Sequence, residues 1–227
     1  MPNLLTILAG GENSRLLPLS STAYKGFVPI HNQTMVERQV LRGRLCGIEE
    51  FVVVTDGSDP ALEVVGEATH NQEVRFLQLE GTTGRKVDQV AKLYPTTVPL
   101  LVCLADTFAR VDLNTLEASA NAPGVDSAMC LARYRLPFGS VTLDDAERVV
   151  QRFEEKPILP NLLVSIGYYA LGPAALTYLR SGMDLNNVLA LLARESRLAA
   201  SEVVDTFTHV DSLIDLSNAH VSLAGEM

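Results

Sequence analysis

Residues 4–30, LLTILAGGENSRLLPLSSTAYKGFVPI, contain the pattern that best predicts how this chain folds. An apolar run ends on Gly10 and Gly11, and the cations Arg15 and Lys25 follow in a segment with few other charges. In an open α/β sheet, ligands lie at the carboxyl ends of the strands, and glycines there let the backbone approach a ligand closely. The pattern indicates either a bound phosphate or an ordinary strand-to-loop turn with solvated basic residues.

The rest of the chain alternates apolar runs with amphipathic segments. Their periods predict strands at about 4–9, 51–55, 74–79, 98–104, 127–133, 163–171 and 201–205, with a hairpin around the sequence DDAE. They predict helices at about 34–46, 60–69, 84–93, 112–120, 173–181 and 185–197, and a last helix from about Ser212. This order predicts an α/β fold with a mixed, mostly parallel central sheet flanked by helices, and an added lobe in the second half.

Length and charge limit the classes of protein to which the chain can belong. Its 227 residues are 47% hydrophobic, which is enough for a sizeable core, and no repeat or linker divides them, so we expect a single domain over residues 1–227. The formal charge of −9 argues against a nucleic-acid partner, because clustered Lys and Arg supply phosphate-backbone affinity. Any phosphate ligand is therefore expected to be small and held locally.

Cysteine usage and hydropathy predict the compartment. Cys46, Cys103 and Cys130 are odd in number and form no CxxC pair, which favours a reducing cytoplasm over a disulfide framework or a zinc ribbon. The first residues contain no basic region, and the longest apolar run, VPLLVCLA, is too short to cross a bilayer. We expect a soluble cytoplasmic protein without a membrane partner, and its acidic surface and apolar helix faces are compatible with a homodimer.

Two carboxylates stand at positions where both metal binding and a structural role fit the sequence, and for Asp211 the structural role is the stronger interpretation of the local pattern. Asp106 directly follows an apolar strand, so it either binds a cation or caps the next turn. Asp211 precedes Ser212 in a pattern that also reads as a helix N-terminus, and together with His209 it is a possible transition-metal ligand pair. The dinucleotide motif GxGxxG and the Walker motif GxxxxGK[ST] are both absent from the chain.

The first loop resembles the signature of the sugar-1-phosphate nucleotidyltransferases, roughly LAGGxGTRLxPLTxxxPKPxxPV. The positions in register are Leu8, Ala9, Gly10, Gly11, Arg15, Leu16, Pro18, Leu19, Lys25 and Pro29. Asn13 replaces the usual glycine, and Asn tolerates a left-handed backbone. Tyr24 and Gly26 replace the prolines that flank the lysine, which makes the approach to Lys25 less rigid.

Later segments resemble the same family in the same order. LLVCLADTFARVD is similar to a strand that ends in Gly-Asp, with Ala105 in place of the glycine, and the resemblance implies that Asp106 holds Mg²⁺. FTHVDSLIDLSNAH is similar to the family's W-x-D-I-G-T segment, with His209 in place of the aromatic residue. This second resemblance implies that Asp211 is the other Mg²⁺ ligand.

The resemblance also implies a sugar-phosphate site. FEEKP, residues 153–157, matches the family's F-x-E-K-P, which assigns Glu155 to the sugar hydroxyls and Lys156 to the sugar phosphate. FGSV and SIGYYAL resemble segments around the sugar, which adds Gly139 and Gly167. Charge-rich EEK strings are more often solvated surface, so the flanking glycines carry this assignment.

A nucleotide site is implied by the first loop and by LQLEGTTGRKVDQV, which resembles the family's GTAGAL turn except at Arg85 and Lys86. The candidate nucleotide-binding residues are Leu8, Ala9, Gly10, Gly11, Glu12, Asn13, Ser14, Gln78, Glu80, Gly81 and Gly84. By this resemblance the nucleotide part covers about residues 1–110 and the sugar part about 111–227. The implied fold is the Rossmann-like nucleotidyltransferase fold, related to the glycosyltransferase-A type.

The implied reaction couples a nucleoside triphosphate to a sugar 1-phosphate, with Mg²⁺, and releases pyrophosphate by in-line attack without a covalent intermediate. Arg15, Lys25 and Lys156 would supply the catalytic positive charge that joins two polyanions. One alternative on the same fold is a phosphocholine-type cytidylyltransferase. Another is a catalytically silent regulatory protein that binds a nucleotide or a sugar nucleotide, which the departures at Asn13, Tyr24, Gly26 and Ala105 suggest.

Overall fold

The computed structural model describes residues 4–10, 16, 25–56, 74–95, 99–144, 146, 148–204 and 207–223. Its strands are β1 (Leu4–Leu8), β2 (Pro29–Ile30), β3 (Gln33–Thr34), β4 (Glu50–Thr55), β5 (Val74–Gln78), β6 (Leu100–Leu104), β7 (Thr107–Phe108), β8 (Ser127–Arg135), β9 (Ser140–Leu143), β10 (Val150–Glu154), β11 (Ile158–Leu171), β12 (Leu198–Val204) and β13 (Thr208–His209). Its α-helices are α1 (Met35–Leu45), α2 (Thr83–Leu93), α3 (Leu113–Ala120), α4 (Pro173–Arg180), α5 (Leu185–Arg194) and α6 (Leu213–Ser222).

Seven strands form one central sheet in the order β12-β8-β11-β6-β1-β4-β5. The pairs β1–β4, β1–β6, β4–β5 and β12–β8 are parallel, whereas β11 runs antiparallel to both β6 and β8. The predicted α/β class with a mixed, mostly parallel sheet is confirmed. The chain continues from β1 to β4 on one side of β1 and later returns to β6 on its other side, so a topological switch point, where such sheets bind ligands, lies between β1 and β6.

The central strands are mostly apolar and almost fully buried because helices cover both faces of the sheet. Successive side chains of a strand point to opposite faces, so Phe51 and Val53 of β4 pack into one core with α1 and α3. Val52 and Val54 face the other core, which α2, α4 and α5 complete. The helices therefore pack on both sides of β1, β4 and β6, and the carboxyl ends of these three strands lie at one edge of the sheet.

Several boundaries differ from the sequence-based expectations. β11 begins at Ile158, earlier than the expected 163, because its first half pairs with the end of β8. α5 ends at Arg194 rather than 197, where Ser196 takes a positive φ of 57° and turns the chain into β12. The helix expected at 60–69 lies outside the described residues.

The expected hairpin around DDAE is present as the separate two-stranded sheet of β9 and β10. It stands apart from the central sheet, and Val141 and Phe153, which pair across it, are both more than half exposed. None of the helices in the described part of the chain is both long enough and apolar enough to cross a membrane.

Candidate active site

Lys25, Asp106 and Asp211 meet at the carboxyl edge of the central sheet. The Lys25 ammonium nitrogen lies 2.7 Å from Oδ2 of Asp106 and 2.9 Å from Oδ1 of Asp211. The Lys25 side chain is only 14% exposed, whereas the side chains of Asp106 and Asp211 are 22% and 34% exposed. One cation is therefore held by two carboxylates that still face the solvent.

Strand ends bring Asp106 to this edge. The Ala9 amide donates to the Val54 carbonyl and the Ala105 amide to the Leu8 carbonyl, so the ladder of the parallel strands continues past β1 and β6. Asp106 is the next residue, in the tight turn between β6 and β7. The carboxylate thus lies directly beside the switch point, as the apolar run before it predicts.

A short strand pair places Asp211, which is near the end of the sequence, beside Asp106. His209 of β13 pairs with Thr107 of β7, and the Val210 amide donates to the Asp106 carbonyl at 2.9 Å. Pairs of two residues carry no periodic signal, and for this reason the sequence does not predict them. They fix the backbone next to both carboxylates.

The helix-capping alternative for Asp211 is resolved by its neighbours. Ser212 is the N-cap of α6, and its hydroxyl and backbone amide form a capping box with Asp215. The Asp211 carboxylate therefore remains available for Lys25, while Asp215 also accepts from the Asp211 amide at 3.2 Å. His209 points its Nδ1 at the Thr107 hydroxyl at 3.0 Å.

Lys25 begins a short 3-10 helix, Lys25–Phe27, whose second residue lies deep in the site. A Cβ added to Gly26 would lie 2.9 Å from the Ala9 Cβ, 3.1 Å from a Val36 methyl and 3.4 Å from the Ala105 Cβ. Gly26 and Ala105 are two of the four departures from the family pattern, and the structure places them in contact. An alanine at position 26 would therefore clash chiefly with Ala9, whereas its contact with the Ala105 methyl group would be an ordinary one.

A buried polar network that the sequence analysis missed supports the turn that carries Asp106. The Gln39 amide nitrogen donates to the carbonyls of Leu104 at 3.0 Å and Thr107 at 2.6 Å. The Tyr168 hydroxyl lies 2.9 Å from both Gln39 Oε1 and the Thr107 carbonyl. Burial raises the pKa of the Tyr168 phenol, which therefore remains a neutral donor. A polar Gln39 on the apolar face of α1 is the one sequence signal for this network.

The donor set suits a hard divalent cation. Both carboxylates reach the same ammonium group, so their oxygens converge on one cationic position. Mg²⁺ prefers such oxygens and typically binds through one or two carboxylates together with substrate phosphates and water. Among the described residues no cluster of three or more His, Cys, Asp or Glu side chains could hold a metal ion by itself.

On the nucleotide side, the described candidates fall into two environments. Leu8 and Ala9 are buried strand-end residues, whereas Gly10 is exposed. Gln78, at the end of β5, and Glu80 and Gly81, between β5 and α2, are exposed, and Gly81 has a positive φ of 109°. The remaining first-loop candidates Gly11, Glu12, Asn13, Ser14 and Arg15 lie outside the described residues.

Gly84 is buried and packs against the segment that precedes α5. A Cβ there would lie 2.8 Å from the Met183 carbonyl oxygen and 2.9 Å from the Leu185 nitrogen. Its amide donates to Oδ1 of Asp184 at 3.0 Å, and this bond lowers the pKa of the Asp184 carboxyl. In this structure Gly84 lets α2 and α5 approach each other closely.

An ion pair on the nucleotide side was not foreseen. Lys86, in the first turn of α2, pairs with Asp56 at the end of β4. The Asp56 carboxylate also lies against Gly10, where an added Cβ would overlap Oδ2. The only sequence signal was Lys86 itself, a charge at a position where the similar motif has an apolar residue.

The sugar-site candidates form a second group near the separate hairpin. A Cβ on Gly139 would lie 3.1 Å from Oε2 of Glu155 and 2.6 Å from the Phe153 ring, so these three residues adjoin one another. Lys156 is exposed at the start of the turn into β11, with a positive φ of 47°, and no described bond joins its side chain to Lys25 or Asp106. Gly167, with φ of 75°, lies within a β-bulge and would meet the Leu104 side chain at 2.7 Å if it carried a Cβ.

Comparison with known proteins identifies the family and the fold. The family model described as nucleotidyl transferase matches residues 5–190. Curated relatives include a bifunctional sugar-1-phosphate nucleotidylyltransferase/acetyltransferase of Sulfurisphaera tokodaii, 23% identical over 86% of this chain and 49% of its own length. A glucose-1-phosphate thymidylyltransferase of Streptomyces griseus is 28% identical over 74% of this chain and 49% of its own length.

The mannose-1-phosphate guanyltransferase of Schizosaccharomyces pombe is 26% identical over 75% of this chain and 50% of its own length. The chain therefore spans about half the length of these three curated relatives. The fold matches a Bacillus anthracis crystal structure described as a glucose-1-phosphate thymidylyltransferase in complex with sucrose. That match has a TM-score of 0.75 at 18% identity and covers 97% of this chain and 95% of the other. The resemblance inferred from the first loop is confirmed, and the chain belongs to the nucleotidyl transferase family.

Proposed function

We propose that this protein transfers a nucleotidyl group from a nucleoside triphosphate to a sugar 1-phosphate, giving a nucleoside diphosphate sugar and pyrophosphate. The observation that carries the proposal is the contact of the Lys25 ammonium with both Asp106 and Asp211 beside the switch point of the sheet. The names of the three relatives share a sugar 1-phosphate or nucleotidyl transfer but differ in the nucleotide. The proposal concerns the half of those relatives that this chain spans.

The chemistry joins two polyanions, so the site must supply fixed positive charge. An oxygen of the sugar phosphate attacks the α-phosphorus, the new P–O bond forms, and the bond to the β-phosphate oxygen breaks as pyrophosphate leaves. Lys25 would neutralise charge around the α-phosphorus, and Arg15 would bind the triphosphate and the departing pyrophosphate. Because the second pKa of a phosphate monoester is about 6, the attacking oxygen is already ionised near neutral pH and needs no general base.

Asp106 and Asp211 would hold Mg²⁺ together with the substrate phosphates. When bound, the cation polarises phosphoryl oxygens and stabilises developing negative charge. Other residues of the chain position the two carboxylates that would bind the cation. Gln39 and Tyr168 hold the turn that carries Asp106, and the capping box of Ser212 and Asp215 holds the backbone beside Asp211. The same carboxylates orient Lys25 through its two ion pairs.

The acceptor would bind on the other side of the switch point. Glu155, exposed next to Gly139, can accept hydrogen bonds from sugar hydroxyls, and the exposed Lys156 can pair with the sugar phosphate. Gly167 is buried against the Leu104 side chain at the end of β6, where the absence of a Cβ lets β11 pass closely. The ion pairs of Lys25 with Asp106 and Asp211 favour the active transferase over the silent-binder alternative, since the reaction needs these charges.

Pyrophosphate release tests the proposal. Each nucleoside triphosphate is paired, with Mg²⁺, with hexose, heptose and aminosugar 1-phosphates and with phosphocholine. We expect release that requires both one nucleotide and one sugar 1-phosphate. Release with phosphocholine alone would replace the proposal with the cytidylyltransferase alternative, and nucleotide binding by calorimetry without release on any acceptor would favour the silent regulator.

A pair of matched variants connects this activity to the site. Asp106→Asn removes one negative charge from the cation position and should lower kcat by at least about a hundredfold, as losses of electrostatic stabilisation do. Asp112→Asn is the control, because Asn caps the N-terminus of α3 as well as Asp does. Equal turnover in the two variants would remove Asp106 from the proposed mechanism.

A further inference from the structure

His31 and His220 contact each other although 189 positions separate them in the sequence. The His31 backbone amide donates to Nδ1 of His220 at 3.3 Å, and Nε2 of His31 lies 2.7 Å from the His220 carbonyl oxygen. A carbonyl only accepts, so Nε2 of His31 carries the proton of the second bond, whereas Nδ1 of His220 is the acceptor of the first. The two rings also meet edge to face, with their centroids 4.8 Å apart.

The histidine pair connects the segment after Lys25 with the helix after Asp211. His31 lies in the two-residue turn between β2 and β3, and the Val28 amide donates back to the Lys25 carbonyl at 3.1 Å. His220 lies in the last turn of α6, which begins two residues after Asp211. The last carbonyls of a helix have no partner within it, and His31 supplies one for the carbonyl of His220.

A small apolar core joins the same segments and is separate from the two cores on the faces of the central sheet. Its buried members are Leu16, Val28, Ile30, Met35, Phe108, Val210, Leu216, Ala219 and Leu223. Members of this core stand within three residues of each of Lys25, Asp106 and Asp211. Apolar burial is non-directional, so this core does not by itself fix how α6 is turned against the β2–β3 hairpin, whereas hydrogen bonds do.

Local stability alone does not account for a histidine at this turn. His31 has a positive φ of 56°, and two-residue hairpin turns with such a backbone favour Asn, Asp or Gly. The end of α6 needs no histidine either, since water or a following glycine can satisfy the last carbonyls of a helix. What the His31 side chain adds is a bond to an element near the opposite end of the sequence.

We propose that His31 and His220 are positioning residues for the nucleotidyl transfer. Their bonds hold the Lys25 ammonium between the two carboxylates. The inference rests on the proposed function and adds to it two residues outside the charged group. The hairpin continues from the 3-10 turn of Lys25, and α6 continues from Asp211, so the histidine pair fixes one segment against the other. When the pair is broken, the two segments shift relative to each other and Lys25 loses part of its contact with Asp211.

Two replacements of His31 separate positioning from a local role in the turn. Gln reaches as far as the histidine ring and places an amide N–H where Nε2 lies, so His31→Gln keeps the bond to the His220 carbonyl. Asn is too short for that bond but adopts left-handed backbone readily. A local role in the turn makes His31→Asn the better replacement, whereas positioning makes His31→Gln the better one.

Turnover with the substrate pair that gives the fastest pyrophosphate release measures this order. His31→Asn should lower kcat by at least about tenfold, because misplacement of a reacting group is costly, and His31→Gln should lower it by less than about threefold.

Acetylation of Lys25 reports its position without turnover. An ammonium bonded to two carboxylates reacts with acetic anhydride only after the contact opens, so the labelling rate, measured by peptide mass spectrometry, follows that opening. His31→Asn should speed the labelling by at least about threefold, the factor that one lost hydrogen bond gives, while His31→Gln should keep the wild-type rate. Lys92, whose side chain is half exposed, is the reference within each sample.

The partner residue provides an independent pair of variants. His220→Asn places Oδ1 where Nδ1 lies and retains the bond from the His31 amide, so Lys25 should label at the wild-type rate. In His220→Ala, Lys25 should label as fast as in His31→Asn. The thermal midpoint shows which of the compared variants are folded.

The outcomes are distinct. An unchanged rate of Lys25 labelling in both His31→Asn and His220→Ala would overturn the inference while leaving the transferase proposal intact, and so would a wild-type kcat in His31→Asn. Absence of pyrophosphate release from the wild type with every substrate pair would instead overturn the proposed function, and the labelling rates would still decide whether the histidine pair holds Lys25.

Discussion

The Lys25 ammonium nitrogen lies 2.7 Å from Oδ2 of Asp106, although 81 positions separate the two residues in the sequence. The same nitrogen lies 2.9 Å from Asp211, 186 positions away. One lysine thus holds together the two carboxylates that we expect to bind a divalent cation. An ammonium and a metal ion compete for the same oxygens, so the position of Lys25 has a measurable consequence for metal affinity.

Replacing Lys25 with Met should strengthen binding of Mn²⁺ or Mg²⁺ to the protein without nucleotide by at least about tenfold, because an internal positive charge within ion-pair distance is removed. Turnover should be lost in the same variant. Calorimetry or Mn²⁺ paramagnetic resonance measures the affinity. Lys92→Met is the control, since that lysine pairs with Asp88 in α2. Metal binding to Lys25→Met that is no tighter than in the wild type would separate Lys25 from the metal site.

Tyr168→Phe should destabilise the fold by about 1–2 kcal/mol, because Gln39 Oε1 is left buried without its donor. We also expect a lower kcat, since the Thr107 carbonyl in the turn that carries Asp106 loses a partner. Urea unfolding and pyrophosphate release measure the two effects. Tyr178→Phe removes an exposed hydroxyl that donates to Glu195 and should change stability by less than about 0.5 kcal/mol. Similar losses in both variants would contradict a special role for Tyr168.

Gly26→Ala should cost about 1–3 kcal/mol of unfolding free energy, since the new Cβ overlaps Ala9 and presses on Val36. Adding Ala9→Gly should recover part of that loss, because it removes the nearest contact, the Ala9 Cβ at 2.9 Å. Chemical denaturation of the single and double variants measures the coupling between the two positions. Full stability of Gly26→Ala alone would show that the site has more space than the structure indicates.

Asp184→Ala should lower stability by about 1 kcal/mol near neutral pH, since the buried Gly84 amide loses its acceptor. The pKa of Asp184 is lowered in the folded protein, chiefly by this bond, so its contribution is complete above the ordinary pKa of 3.8. The contribution should fade as the pH drops below that value, through the lowered folded pKa. Unfolding at a series of pH values measures it, and a difference that grows with acidity would contradict the assignment.

Much of the fold follows from the sequence. The apolar runs of β1, β4 and β6 predict buried parallel strands because both of their faces are covered, and Asp106 follows one of those runs directly. The convergence of Asp106 and Lys25 follows from the family resemblance together with the rule that ligands lie at strand ends.

The rest depends on contacts that no local pattern contains. The two-residue strands β7 and β13 bring Asp211 beside Asp106, and two residues cannot show a period of two. Asp56 and Lys86 meet only because β4 and α2 are neighbours in space, and Tyr168 reaches Gln39 across 129 positions. Contacts of this kind can be recognised only when the order of the strands in the sheet is known.

The most direct test of the central claim is ³¹P nuclear magnetic resonance of a reaction that contains Mg²⁺, a nucleoside triphosphate and a sugar 1-phosphate. We predict that the sugar phosphate signal disappears as the paired signals of a diphosphate sugar and an equal amount of pyrophosphate appear, and that Asp106→Asn abolishes the change. An unaltered sugar phosphate signal with every nucleotide, or hydrolysis of the nucleotide to inorganic phosphate alone, would contradict the account.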